Sequence, residues 1–363
     1  MPTIQVHISS EEQSDQSYDI LIGDGIIGQI GQTLKDNSVT RCLIISDASV
    51  DTHALNVIAS IKDAGIECQA LTIPSGESSK SLSQAEDLWE AMALHAVDRR
   101  THIIAVGGGV TGDLVGFIAA TFARGLPLWH IPTTLVAQVD SAIGGKTGIN
   151  LDAGKNLVGC FWQPQGVFSD IQTLSTLPDR EYRSGLAEVL KYGIILDEEF
   201  FGWLENHVAE LLSRESSSLM HAVTCSAALK AQVVEKDERE VTGLRAILNY
   251  GHTFAHAFEK AAGYGKLLHG EAVSIGMACA ARLAHSLGRV GEDLVDRQNN
   301  LISQFQLPQS LPALEASKDD LLTIMARDKK SLHGQLRFIL PNRIGHVELI
   351  AHVDPNLVKS AMR

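Results

Sequence analysis

The stretch ILNYGHTFAHAFEK, residues 247–260, places His252 and His256 four residues apart, with Glu259 three further on. On a helix, residues at that spacing share a face, and two imidazoles so placed can clamp a metal ion. Packed or capping histidines give the same pattern, so spacing alone leaves open whether both rings hold an ion, or one, or neither. Other groups can converge with them: His269 in LLHGEAV, expected at a helix start, and Glu188 and Lys191, three apart in SGLAEVLKYG. A catalytic zinc takes three protein ligands, often two histidines and a glutamate, and keeps one position open. Such an ion polarises a substrate oxygen as a Lewis acid. Lys230, Arg245 and Asn249 add polar groups to the same half, the last two within two turns ahead of His252, and DKK follows at 328–330. Each alone reads equally well as a solvated or ion-paired side chain. Together, around a metal, they point to a phosphorylated, polar substrate.

The other half offers a different chemistry. IIAVGGGVTGDLVGF reads as strand, glycine turn and helix, with Gly107, Gly109 and Gly112 satisfying G-x-G-x-x-G. Without Cβ atoms the backbone can approach a pyrophosphate, whose charge meets the N-terminus of the next helix. A tight strand-to-helix turn is the plain alternative. The acidic residue usual about 20 residues later is missing, because the chain there reads LPLWHIPTT. Asp47, closing LIISD upstream, is the acid at a strand end and the candidate for ribose hydroxyls, which predicts a non-standard strand order. IGGKTG (143–148) is not a P-loop, since the first glycine of that motif falls on Asp140. Lys146, and Lys155 in DAGKN, remain as loop lysines able to hold anions or simply to be solvated.

Elements must position these groups. RCLIISD (41–47), ECQALTIP (67–74), THIIAVGGG (101–109) and LPLWHIP (126–132) read as strands, separated by stretches with helical apolar spacing. That alternation predicts a Rossmann-like α/β domain with a mainly parallel sheet. From Asp179, following Pro178 as stop and cap, long helix-periodic segments take over, predicting an all-α C-terminal domain. LRFILP and GHVELIAH predict a small terminal hairpin. The expected division is 1–178 and 179–363, with a ligand cleft between.

At 363 residues the chain exceeds what one core usually serves. A formal charge of −13 argues against a duplex nucleic-acid partner. The five cysteines are scattered without a CxxC pair, which fits a reduced compartment. The N-terminus lacks the pattern of a secretory signal, and no run reaches the roughly 18 apolar residues of a membrane span. A cytoplasmic protein is expected, with AVSIGMACAARLA as a buried helix.

GGGVTGDLVGFIAATFARG, IPTTLVAQVDSAIGGKTGIN, GKN, LAEVLKYG, GLRAILNYGHTFAHAFE, LHGEAV and RDKK follow one another in an order and spacing that closely resemble 3-dehydroquinate synthases of the sugar-phosphate cyclase superfamily. The likeness runs from about residue 20 to 340. The resemblance implies NAD on the first domain and a divalent metal, zinc or cobalt, on the second, held by Glu188, His252 and His269. It implies dinucleotide contacts at Asp47, at Ser75, Gly76, Glu77, Ser78, Ser79 and Lys80, and at Gly108, Gly109, Val110, Thr111, Gly112 and Asp113. Further ones are implied at Thr133, Thr134, Lys146, Lys155, Thr173, Leu174, Ser175 and Thr176. Substrate contacts are implied at Asp140, Lys146, Asn156, Lys191, Lys230, Arg245, Asn249, His256 and one of Lys329 and Lys330. Arg124 would reach the phosphate site of a neighbouring subunit, so a homodimer is implied.

The implied reaction is the second of the shikimate pathway, leading to chorismate and the aromatic amino acids. In it 3-deoxy-D-arabino-heptulosonate 7-phosphate becomes 3-dehydroquinate and phosphate. It runs through transient oxidation by NAD, β-elimination of phosphate, return of the hydride and an intramolecular aldol, which makes the enzyme a phosphorus–oxygen lyase. On this reading His252 goes to the metal, and His256, one turn along, to the substrate, with Asn249 preceding both on the same face. Glu259 is left as a structural or solvated carboxylate. Alternatives are cyclases making aminodehydroquinate, 2-deoxy-scyllo-inosose or valiolone, a metal-dependent polyol dehydrogenase, and a nucleotide-binding module. Valiolone-type enzymes depart at the positions of Asn249 and His256, both kept here. A binding module leaves Glu188, His252 and His269 without purpose. Val241-Thr242 stand where one residue is expected in many relatives, which predicts a shifted loop near Lys230.

Overall fold

The computed structural model describes residues 16–263, 265–313, 315–327 and 336–362. Strands and helices alternate first: β1 Asp19–Gly23, α1 Ile30–Asp36, β2 Arg41–Asp47, α2 Asp51–Asp63, β3 Glu67–Ile73, α3 Leu82–Leu94, β4 His102–Gly107, α4 Gly109–Thr121 and β5 Leu128–Pro132. A hairpin, β6 Lys146–Leu151 and β7 Gly154–Phe161, precedes β8 Gly166–Asp170. Six strands form one sheet in the order β1-β8-β5-β4-β2-β3, and every pair is parallel. The four strands expected from the sequence are present. β1, β8 and the hairpin are additions, DILIG and GVFSD being five residues each. Lys146 and Lys155, expected on loops, stand on the two antiparallel strands of the hairpin.

Alternate side chains of the central strands feed two cores. Ile44, Ile104, Val106 and Ile131 pack under α1 and α2, while Leu43, Ile45, Ile103 and Ala105 pack under α3 and α4. Each such buried Ile or Leu contributes about 2 kcal/mol. The chain runs outward from β2 to β3, then returns to β4 and continues to β5. The carboxyl ends of β2 and β4, carrying Asp47 and Gly107, therefore flank the crevice where α/β sheets bind ligands.

Helices follow: α5 Asp179–Leu196, α6 Glu198–Asn206, α7 Val208–Leu212, α8 Ser216–Lys236, α9 His252–Ala262, α10 His269–Ser286, α11 Glu292–Gln304 and α12 Lys318–Arg327. A hairpin of β9 Arg337–Arg343 and β10 His346–Ala351, as expected, leads to α13 Pro355–Ala361. Asp179 is the first residue of α5 rather than its cap, and its carboxylate takes Arg214 at 2.7 Å. α5 is buried on nearly every side and α10, with AVSIGMACAARLA, likewise. Their core also receives Leu135, Val139, Ile171 and Leu174 from the first half, so the two halves share one apolar interior. Among the described residues no helix is long and apolar enough to cross a membrane.

Candidate active site

Three segments bring the expected cation ligands together. Glu188 lies mid-way along α5, and His252 and His269 are the first residues of α9 and α10. Local chemistry fixes both helix starts. Gly251 has φ 77°, and a Cβ there would stand 2.8 Å from the Met277 backbone nitrogen, so only glycine lets α9 begin against α10. At the start of α10, a Cβ on Gly270 would fall 1.8 Å from the Ser184 carbonyl oxygen of α5. Arg180 of α5 forks onto Glu271 of α10 at 2.7 and 2.8 Å, and Glu271 accepts the Leu268 N–H at 2.9 Å. His269 is thereby pinned one turn from Glu188.

One ligand atom from each of Glu188, His252 and His269 lies within 4.8 Å of the others. Glu188 Oε1 is 3.6 Å from His252 Nε2 and 3.3 Å from His269 Nε2. Both Glu188 oxygens are buried without a well-formed hydrogen bond, which calls for a cation. Lys191 Nζ approaches Oε2 as an ion pair, and burial is outweighed by this charge and the imidazoles, which hold Glu188 below the carboxylate range. His252 Nδ1 is 3.0 Å from the Tyr250 carbonyl; a carbonyl only accepts, so Nδ1 donates and Nε2 keeps its lone pair for an ion. Burial would lower His269, but Glu188 and Glu259 raise it to about 10, marking this as a cation's place. Two imidazoles and a carboxylate suit zinc or cobalt with an open position.

A second cluster adjoins the first through Lys191. Asp140, on a π-helical turn Ala137–Ser141, accepts from Tyr192 Oη at 2.6 Å and Lys230 Nζ at 2.8 Å, with Lys191 Nζ 4.0 Å away. Burial opposes ionisation of Asp140, yet Lys230 and Lys191 hold it well below its usual range. Burial lowers Lys230 to about 8, against the pull of Asp140. Arg245 is 2% exposed and donates to the Glu238 and Gly144 carbonyls at 2.6 and 3.0 Å. Lys146 pairs with Glu240 at 2.5 Å.

Some placements depart from expectation. Arg245 and Asn249 do not share the face of His252: they lie on a separate 3-10 turn, Leu244–Asn249, and the left-handed Gly251 ends that run before α9 begins. The extra residue at Val241-Thr242 leaves Lys230 bonded to Asp140. Asp237 accepts the N–H groups of Val241, Thr242 and Arg245, and the Val241 side chain turns outward. Glu259 is buried, the structural of its two expected readings. Tyr192, Glu240 and Glu259 are site residues that motif reading missed. For Glu259 a signal existed, since position i+7 from His252 falls on the buried face. His256 follows His252 by one turn, rings 5.7 Å apart and edge-on. Lys329 and Lys330 lie outside the described residues.

Most residues expected at the dinucleotide lie beyond the carboxyl ends of the strands, whereas Lys146 pairs with Glu240 and Lys155 faces Glu259. Asp47 accepts from Ser75 Oγ at 2.5 Å and from Ser49 Oγ at 2.6 Å. Gly76, Glu77, Ser78 and Ser79 form the turn after β3, where Glu77 accepts from Asn150 at 2.6 Å. Lys80 bridges Asp113 at 2.6 Å and Asn156 at 2.5 Å, which puts Asn156, expected at the substrate, with this set. Gly108 caps α4, Gly109 to Gly112 form its first turn, and Thr133 and Thr134 follow β5. Thr173 to Thr176 lie on a 3-10 turn, Ile171–Thr176. Thr173 and Ser175 line a cavity of about 590 Å³ with Thr52, His53 and Asn56 of α2. Leu174 gives its side chain to the core and its carbonyl to Arg214. Arg124 lies beyond the far end of α4, on a turn with φ 49° at Ala123 and 68° at Arg124.

Fold and site together define an α/β sheet joined to a helical half that carries a buried cation site of two histidines and a glutamate. The sequence profiles for the N-terminal and C-terminal parts of 3-dehydroquinate synthase match residues 70–184 and 185–331. The chain belongs to the 3-dehydroquinate synthase family. It is 49% identical to the 3-dehydroquinate synthase of Rhodopirellula baltica over 96% of this chain and 94% of that one. Among solved structures, it is similar to a 2-epi-5-epi-valiolone synthase from Streptomyces hygroscopicus with NAD+ and Zn2+ bound, at a TM-score of 0.89 and 29% identity, covering 99% and 98% of the chains. It is also similar to a 2-deoxy-scyllo-inosose synthase complexed with carbaglucose-6-phosphate, NAD+ and Co2+, at a TM-score of 0.86 and 28% identity, covering 94% and 95%.

Proposed function

We propose that the chain is a 3-dehydroquinate synthase, a lyase that converts 3-deoxy-D-arabino-heptulosonate 7-phosphate to 3-dehydroquinate and phosphate. The observation that carries this reading is the chain of contacts from Glu188 through Lys191 to Asp140 and Lys230. It joins a cation site to a cationic pocket beside the glycine loop. Glu188, His252 and His269 would hold the divalent metal; the glycine loop, Asp47 and the cavity beside Thr173 would hold NAD. When bound, NAD supplies a reversible hydride transfer and the metal supplies Lewis-acid polarisation of the hydroxyketone oxygens.

The side chains supply orientation and proton control. Lys191, Lys230 and Arg245 present positive charge to the substrate's phosphate and carboxylate. Asp140 fixes the two lysines from behind. Asp140 and Glu188 are both held below the carboxylate range, so neither is a good base for the proton lost in β-elimination. That favours the substrate's own phosphate as the base. A cleft closed over the substrate would retain intermediates. The same reading makes residues 1–178 the dinucleotide domain and 179–363 the metal and substrate domain, of a cytoplasmic homodimer. The dimer rests on the resemblance, which carries Arg124 to the phosphate site of a neighbouring subunit.

The test is phosphate release from the heptulosonate phosphate with catalytic NAD and added zinc or cobalt. Turnover with no net NADH is expected, abolished by EDTA. Stoichiometric NAD consumption, as in a polyol dehydrogenase, or release indifferent to EDTA, overturns the proposal.

A further inference from the structure

Glu259 is 7% exposed, two turns along α9 from His252. A carboxylate taken from water is unfavourable unless it is paired. Its Oε1 lies 3.5 Å from His269 Nδ1 and 3.8 Å from Lys155 Nζ. The other nitrogen of that ring, Nε2, is the one facing Glu188. His269 is thus a link with one nitrogen in the cation cluster and the other on Glu259. A neutral imidazole carries a single ring proton, and a carboxylate at Nδ1 draws it there, leaving the Nε2 lone pair for an ion. His252 is oriented the same way by a neutral carbonyl; His269 has an anion instead.

Lys155 gives this contact a second end. It stands on β7, on the α/β side, whereas Glu259 and His269 belong to the helices. One oxygen therefore serves a ligand of the cation cluster and a lysine assigned to the dinucleotide. We propose that Glu259 is a positioning residue that sets the tautomer and orientation of His269 and, through Lys155, links metal affinity to NAD affinity. An ammonium at Oε1 competes with His269 for that oxygen. Drawn toward an anionic cofactor, Lys155 releases the oxygen to the imidazole and strengthens its donation to the ion. NAD then tightens metal binding and, by reciprocity, metal tightens NAD binding. This rests on the metal and NAD reading above.

The experiment is a titration of Co2+ into the metal-stripped full chain, followed by visible d–d absorption, with and without saturating NAD. Glu259→Gln keeps the shape and a hydrogen-bond acceptor but not the charge, and is expected to weaken Co2+ binding about 10-fold; Glu259→Ala weakens it up to about 100-fold. NAD is expected to tighten Co2+ binding of the wild type about fivefold or more, and to leave Glu259→Gln within about twofold of its own value. Unchanged thermal unfolding of the metal-free Glu259→Gln protein shows that the fold is intact, and that variant decides the matter if Glu259→Ala does not fold. A wild-type chain that binds no Co2+ refutes the metal centre itself. A wild type that binds it, beside a Glu259→Gln of equal affinity, refutes only the role of Glu259. Weakened affinity with the NAD effect intact refutes the link through Lys155.

Discussion

Replacing Asp140 by asparagine removes the charge that faces Lys230 while keeping the shape of the side chain. Lys230 titrates at about 8, because burial lowers it and Asp140 holds it up, with Arg245 and Lys191 adding to the fall. The Lys230 Nζ to Asp140 Oδ1 separation is 2.8 Å, for which Coulomb attraction at an effective dielectric of 20 is about 6 kcal/mol. If half of that survives relaxation, its loss lowers Lys230 by about two pKa units, to ~6. A lysine is a cation only below its pKa, and substrate capture needs the cation. The alkaline limb of kcat/KM, which reports the free enzyme, therefore moves from near 8 in the wild type to about 6 in Asp140→Asn. At about pH 7.5 the protonated fraction, and kcat/KM with it, falls roughly 20- to 30-fold, and the deficit shrinks as the assay is made more acidic. The assay is phosphate release against pH with metal and NAD saturating. An alkaline limb that stays near 8 in the variant shows that Asp140 does not maintain the charge on Lys230 and refutes the reasoning.

His252→Ala should lose metal and activity together, read by metal analysis of the purified protein; metal content at the wild-type level removes His252 from the ligand set. Arg124→Ala should fold normally and be inactive alone. Subunits exchanged between Arg124→Ala and His252→Ala should regain about a quarter of wild-type activity, since half the dimers are mixed and each mixed dimer has one intact site. No recovery on mixing places Arg124 in its own subunit's site or in none.

Local chemistry made part of this molecule readable. The glycine turn and the strand ending in Asp47 follow from backbone rules that act within a few residues, and both stand where the pattern put them. β8, five residues and wholly buried, offers no alternation to read, and β5, equally short and buried, is readable only from the apolar run and proline around it. The spacing of His252 and His256 showed a shared helix face, but not which ring meets an ion. That depends on Glu188 and His269, which arrive from 64 residues before and 17 residues after His252; the residues offer their convergence as one possibility, and family resemblance selects it. Asn249 was misplaced because apolar periodicity runs smoothly through Gly251, whereas the backbone there turns left-handed to clear α10. Charge type leaves Glu259 open between a structural and a solvated carboxylate, and only its buried partners decide for the first.

Both imidazoles of the cation site occupy the first position of a helix. Two positive helix poles, each worth about half an elementary charge, therefore converge on a pocket that also holds the ammonium of Lys191. A dication placed there is resisted by three positive sources and retained by the carboxylates behind it. Such an ion should exchange with the medium more readily than two histidines and a glutamate would otherwise allow. The same poles act on whatever shares the pocket, so negative charge that develops on a bound oxygen meets a field already directed at it. The helix starts that would oppose a dication are thus the same ones that would stabilise negative charge beside it.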